Sequence, residues 1–197
     1  MLLPALLIVT GHPATGKTTL ARALAAELGL PMVGKDMLKE ALFEAIGWRD
    51  RSWSRHVGVM AMSLLYELCG EHLAAGRSPV VESNFRHDLD TARMMELLAR
   101  HPFRPVQLRC VAAREVMVAR YLARIAAGER HPGHCERPDA ASVEAVRSLG
   151  AIRPLGLGGP LLTVDTSAPA ALDLAPVVAW ARAALHGAGE PRLIDAP

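Results

Sequence analysis

The feature that most narrows what this chain can fold into is the octapeptide Gly11-His12-Pro13-Ala14-Thr15-Gly16-Lys17-Thr18, an unbroken G-x-x-x-x-G-K-[ST] pattern. An apolar run from Leu6 to Val9 leads into it and a helix-forming segment from Lys17 to Leu28 leads out, which predicts strand, loop and helix in that order. This order suits a polyphosphate, because the backbone N–H groups of the turn face inward at a helix start, where the dipole also favours negative charge. Gly11 and Gly16 permit the turn, and His12, Pro13, Ala14 and Thr15 supply its backbone. Lys17 is expected to reach the β- and γ-phosphate oxygens, Thr18 to ligate Mg²⁺, and Thr19 to contact the α-phosphate. ATP and Mg²⁺ are therefore the expected cofactors.

A chain of 197 residues is long enough for one globular unit with a substantial core, assigned here to residues 1–186. The stretch 187–197, rich in Gly, Pro and charge, is expected to be a mobile tail. Cys69, Cys110 and Cys135 are odd in number and far apart, which points to a reducing, cytoplasmic setting and away from a disulfide framework. A net charge of +2 and 4% aromatic residues provide neither a basic field nor stacking platforms, so nucleic acid is not an expected partner. The apolar start, Met1 to Val9, lacks a basic flank and runs directly into the loop, so it reads as the first core strand. No run approaches the roughly 20 apolar residues of a membrane span. Monomer and homodimer are both open.

Further along, Gly29 closes the first helix and Pro31-Met32-Val33 reads as a second strand delivering Gly34, Lys35 and Asp36 to its carboxyl end. A helix is predicted over Met37–Ile46 and a long one over Ser52–Ala75, with Trp53, Val57, Met60, Ala61, Leu64 and Leu68 recurring at helical spacing. Pro79 to Glu82 is a third strand that empties into Ser83-Asn84-Phe85-Arg86, and Val106 to Val111 a fourth. Helices over Asp88–Arg100, Ala113–Ala127 and Asp139–Leu149 follow the same logic. Between the last two, Gly128 to Pro138 reads as a hinged flap, part of a lid at about 120–138. Leu161 to Val164 is a fifth strand and Leu172 to Leu185 a final helix. Five strands alternating with helices give an α/β fold with a parallel sheet covered on both faces.

Phosphoryl transfer asks a protein for a phosphate cradle, Mg²⁺, cations on the equatorial oxygens and a group that orients the nucleophile. Lys17 and Thr18 cover the first two, and Glu82 ends its strand where a carboxylate can meet the metal directly or through water. Arg120, Arg124, Arg130 and Arg137 are candidate cations, since guanidinium groups grip phosphate in a forked geometry. Asp36 is the candidate for the fourth part and is equally suited to capping the helix that follows it. Asn84, Arg86 and Arg55, with Arg49 and Arg51, are candidates for the acceptor side. His131-Pro132-Gly133-His134-Cys135 has zinc-like spacing but no second cluster to complete four ligands, so a flap turn is expected there.

With these residues in view, the chain resembles the phosphate-loop small-molecule kinases: the zeta-toxin-like and chloramphenicol phosphotransferase-like proteins and the shikimate and gluconate kinases. The resemblance rests on Gly11–Thr18, on Gly34-Lys35-Asp36 with Lys39 to Phe43, on Val81 to Phe85, and on Arg120 through His134. It implies a three-layer P-loop kinase fold with strand order 2-3-1-4-5, an acceptor region between strands two and three, and an arginine-bearing lid. It also implies that Asp36 is a catalytic base, that Arg120, Arg124 and Arg130 are lid cations, and that the segment Asp165 to Ala168, with Thr166, helps hold adenine. The Asp-x-Asp pattern of shikimate-type kinases is absent, with Gly34 in place of the first acid. The function so implied is ATP-dependent transfer of the γ-phosphoryl group to a hydroxyl of a small molecule, antibiotic, sugar-like or nucleoside-like. A nucleotide kinase and a slowly hydrolysing nucleotide switch are the alternatives.

Overall fold

Everything that follows is positioned by one parallel sheet whose strands run in the order β2-β3-β1-β4-β5. The strands are β1 (Ala5–Gly11), β2 (Met32–Gly34), β3 (Val80–Ser83), β4 (Arg104–Val111) and β5 (Leu161–Asp165). The helices are α1 (Lys17–Leu28), α2 (Lys35–Ile46), α3 (Arg51–Ala74), α4 (His87–Arg100), α5 (Arg114–Ala126), α6 (Ala140–Arg147) and α7 (Leu174–Leu185), with a 3-10 turn at Pro132–His134 between α5 and α6. The computed structural model describes residues 2–169 and 172–187, so the stretch 188–197 of the expected tail lies outside the described residues.

The central strand explains the layering. Ala5 to Val9 are 0% exposed, because parallel strands covered on both faces are apolar without alternation. Leu7 and Val9 pack into one cluster with Leu20 and Leu24 of α1 and Val177 and Ala181 of α7. Leu6 and Ile8 point the other way, into a cluster with Leu65 and Cys69 of α3 and Met94 and Leu97 of α4. In register, Val9 of β1 faces Glu82 of β3, which in turn faces Gly34 of β2. The carboxyl ends of these three strands therefore share one edge, where open α/β sheets carry their ligands.

Helical spacing does not tell which face of a helix is covered, and one expectation, the capping role open to Asp36, is corrected here. The long helix buries Ser54, Val57, Ala61, Leu65, Cys69 and Leu73, whereas Met60, Leu64 and Leu68 stay 38–42% exposed on its outer side. A 24-residue helix has apolar residues at several helical spacings, and only the stripe facing the sheet finds a partner. Helix α2 starts at Lys35, directly after Gly34, so Asp36 lies in its first turn and makes no cap bond.

Gln107, 3% exposed on β4, anchors the irregular connection that leads to β5. Its side-chain amide donates to the carbonyls of Leu155 (3.1 Å) and Gly158 (3.2 Å) and accepts from Leu155 N (2.8 Å). Replacing Gln107 by Leu keeps the volume and leaves these backbone groups unpaired. The expected cost is about 1–3 kcal/mol, read as a lower urea midpoint with an unchanged slope.

Candidate active site

The loop after β1 closes tightly. A Cβ on Gly11 would lie 2.4 Å from Thr15 Oγ1 and 3.0 Å from the Cys110 carbonyl, so only glycine fits. Gly16 takes a left-handed conformation (φ 77°) immediately before α1. The Thr15 hydroxyl donates to His12 O (2.9 Å), and the buried Thr166 hydroxyl donates to Thr15 O (2.5 Å), bracing the loop from β5. Arg120 of α5 donates to Ala14 O (3.4 Å) and Thr166 O (2.5 Å). Thr166 thus stands beneath the loop as a strut, with its hydroxyl already spent. The His12 ring turns away from the cradle and bonds Gly150 O at 2.7 Å.

Lys17, 8% exposed, points its amine at Glu82 Oε1, 3.7 Å away, and Glu82 is 2% exposed. Burial raises the Glu82 carboxyl above its usual range, and the nearby charge of Lys17 only partly opposes that. Asp36 sits at the same edge. Burial would raise its carboxyl too, but the Arg130 guanidinium, 2.8 Å from Oδ2, together with Lys17 and Lys35 outweighs burial and holds it well below the usual carboxylate range. Asp36 is therefore firmly ionised at neutral pH. A Cβ at position 34 would stand in ordinary contact with Glu82 Oε2 at 3.5 Å, so an acid there would set a further carboxylate beside Glu82.

Residues 127–139, which include the expected flap of Gly128 to Pro138, lie against α2. Gly133 rests so closely on Phe43 that a Cβ would come within 2.6 Å of the ring. His131 stacks on the same ring (5.1 Å between centroids, 17°), and its Nε2 lies 3.0 Å from Glu44. Burial and the positive charge of Arg130 push His134 down to about 3, so its neutral ring donates Nε2–H to Glu40 Oε1 (2.9 Å). Arg124 forms a two-pronged pair with Glu136 (2.6 and 3.0 Å). The zinc-like spacing thus serves docking on α2, and no group of three or more metal-capable side chains occurs among the described residues.

Two compartments meet under this segment. One, of about 470 Å³, is lined by Ala14, Gly16, Thr18, Thr19 and Arg120. The other, of about 390 Å³, is lined by Lys35, Lys39, Arg51, Ser54, Arg55 and Asn84. Lys17, Asp36, Arg124 and Arg130 line both. Arg86 does not join them: it opens α4, where its N–H donates to Asp90 Oδ2 (2.6 Å), and its side chain is exposed. Arg49 stacks on Trp53 (4.9 Å) and Arg137 is exposed, so neither lines the cleft. A larger open groove of about 720 Å³ lies between Glu27 of α1 and the face of α7, remote from the loop.

Lys39 is the site residue that sequence reasoning passed over. It lies one turn beyond Asp36 on α2, so a search at i+3 along that helix would have found it. It is 8% exposed, its amine donates to Ser54 Oγ (2.9 Å), and burial, with Lys35 nearby, lowers its pKa to about 8.

A protein-family profile described as an AAA domain matches residues 6–148. A crystal structure of a provisionally assigned kinase from Chloroflexus aurantiacus is 56% identical, with a TM-score of 0.89 over 91% of this chain and 97% of that one. An unliganded sugar kinase from Janibacter sp. is 19% identical, with a TM-score of 0.56 over 95% and 99%. The Mycobacterium tuberculosis APS kinase in complex with AMPPNP and APS is 13% identical, with a TM-score of 0.59 over 94% and 99%; both of these share the fold. No curated protein sequence matches the chain. The profile covers most of the chain and the Chloroflexus protein nearly all of it, so this chain belongs to the AAA-domain family of phosphate-loop proteins, together with that kinase-assigned protein.

Proposed function

We propose that the chain is an ATP- and Mg²⁺-dependent phosphotransferase that moves the γ-phosphoryl group to a hydroxyl of a small molecule. The observation that carries this reading is the shared wall: Lys17, Asp36, Arg124 and Arg130 line both compartments. A nucleotide held by the loop in the first compartment and an acceptor in the second would meet across those four side chains. Thr18 and Glu82 fit a divalent cation, because a carboxylate 2% exposed beside a buried lysine gains most from a further positive charge. Bound there, Mg²⁺ supplies charge neutralisation on the β- and γ-phosphate oxygens.

In the step itself the bond from the γ-phosphorus to the β–γ bridging oxygen breaks, and a bond to the acceptor oxygen forms. ADP leaves with the bridging oxygen, and the acceptor proton passes to the Asp36 carboxylate and on to solvent. A carboxylate held so far below its normal range is a weak base, which suits orienting the hydroxyl until its proton is released late in a loose transition state. Phosphate oxygens compete for Arg130. As Arg130 turns to them, Asp36 loses its nearest counter-charge and gains basicity, so the arrival of ATP prepares the group that aims the acceptor.

The experiment is ADP release against a panel of hydroxyl compounds, with nucleotide affinity measured in parallel. Asp36→Asn should lower acceptor-stimulated turnover by about 10²–10⁴-fold with ATP affinity kept within about twofold, and full turnover in that variant would remove Asp36 from its assigned role. Lys17→Ala should lower turnover by about 10²–10³-fold, the loss seen on removing one preorganised electrostatic group.

Docking of residues 127–139 on Phe43 keeps water from the reacting atoms on this reading. Gly133→Ala drives a methyl into that ring and should cost up to about 10²-fold in transfer, while acceptor-independent ATP hydrolysis rises. Adding Phe43→Leu should recover part of the loss, and an unchanged ratio of transfer to hydrolysis in Gly133→Ala would refute the closure.

A further inference from the structure

The second compartment carries more cations than phosphoryl transfer requires. Lys17, Arg124 and Arg130 are accounted for by the shared wall, and Arg120 by the first compartment. Lys35, Lys39, Arg51 and Arg55 line only the second, and none of the four has a carboxylate within ion-pair distance among the described residues. The two acids on this wall, Asp36 and Glu136, are engaged by Arg130 and Arg124.

Lys39 makes the point most sharply. It is 8% exposed, and its amine reaches only a hydroxyl, Ser54 Oγ at 2.9 Å, and the face of Phe43 at 5.3 Å. Gly58 of α3 leaves open the space beside it, a Cβ there standing 3.8 Å from the amine. A buried ammonium with neutral partners carries a desolvation cost that an anion in contact would offset. Donors also outnumber free acceptors on this wall. A neutral polyol brings a further donor with every hydroxyl and no negative charge to offset the unpaired cations, whereas a carboxylate or a phosphate dianion only accepts and carries that charge.

We infer that the acceptor of this enzyme carries an oxyanion, a carboxylate or a phosphate monoester, beside its reacting hydroxyl, and that Lys39 and Arg55 receive it. This rests on the kinase reading above and narrows its substrate class to anionic alcohols.

The test loads the chain with AMPPNP and Mg²⁺, which fills the phosphate loop, and then titrates separate samples with inorganic phosphate, glycerate and glycerol by calorimetry. The AMPPNP heat reports on the kinase reading by itself, and its absence would overturn that reading and this one together. With nucleotide bound, inorganic phosphate, glycerate or both should saturate a second site and glycerol should not; which anion binds more tightly assigns the group. Lys39→Met, and separately the exposed Arg55→Ala, should each weaken that binding at least tenfold while AMPPNP affinity stays within twofold. Normal AMPPNP binding with no saturable oxyanion site would overturn the inference and leave the kinase reading intact. So would oxyanion binding indifferent to both substitutions, or glycerol binding as tightly as the anions.

Discussion

A lysine and a glutamate, both nearly inaccessible to water, face each other at 3.7 Å where β1 and β3 end. The separation is beyond a good hydrogen bond, so neither charge is fully satisfied by the other. Burying such groups costs several kcal/mol apiece before any attraction is counted. The surrounding architecture tolerates this because β1 is sealed on both faces by apolar clusters, one under α1 and α7 and one under α3 and α4. Stability gathered in those layers permits the charged edge at which the proposed nucleotide and divalent cation would bind.

The same edge explains why α2 matters more than its length suggests. Starting at Lys35 without a linker after Gly34, it sets Asp36 near Lys17 in its first turn, Lys39 one turn on, and Phe43 one turn further as the seat for Gly133. One face of one helix therefore carries the group proposed to aim a nucleophile, a cation left without a counter-ion, and the seat of the segment that lies over them. Arg130 ties that segment to the first of these at 2.8 Å.

Much of this was legible in the sequence, for identifiable reasons. Gly11 to Thr18 and the alternation of short apolar runs with helical segments are local signals, and strands and helices lie where they indicate. The exposure of Met60, Leu64 and Leu68 is not legible there, because periodicity fixes a helix but not which of its faces meets a neighbour. Arg86 is misplaced by sequence reasoning because α4 begins directly after it: Asn84 lines the cleft, whereas Arg86, at the start of that helix, faces solvent. Lys39 was overlooked because a lysine on a helix is ordinarily solvated, and only its contact with Ser54, on a different helix, reveals its burial. Pairings such as Arg124 with Glu136 depend on how a glycine-rich segment folds back, which no spacing rule encodes.

The hydrogen bond from the His12 ring to the Gly150 carbonyl joins positions 138 apart in sequence. It fastens the phosphate loop to the chain leaving α6, and α6 is itself packed on α5 through Met117, Val118, Tyr121 and Val146. Cradle, α5 and α6 are thereby yoked into one frame. On the closure proposed above, the piece that moves is no more than the dozen or so residues bridging the two helices, at an ordering entropy of about 1–2 kcal/mol for each residue that settles. A short shutter on a stiff frame confines that penalty to the bridge and spares the scaffold.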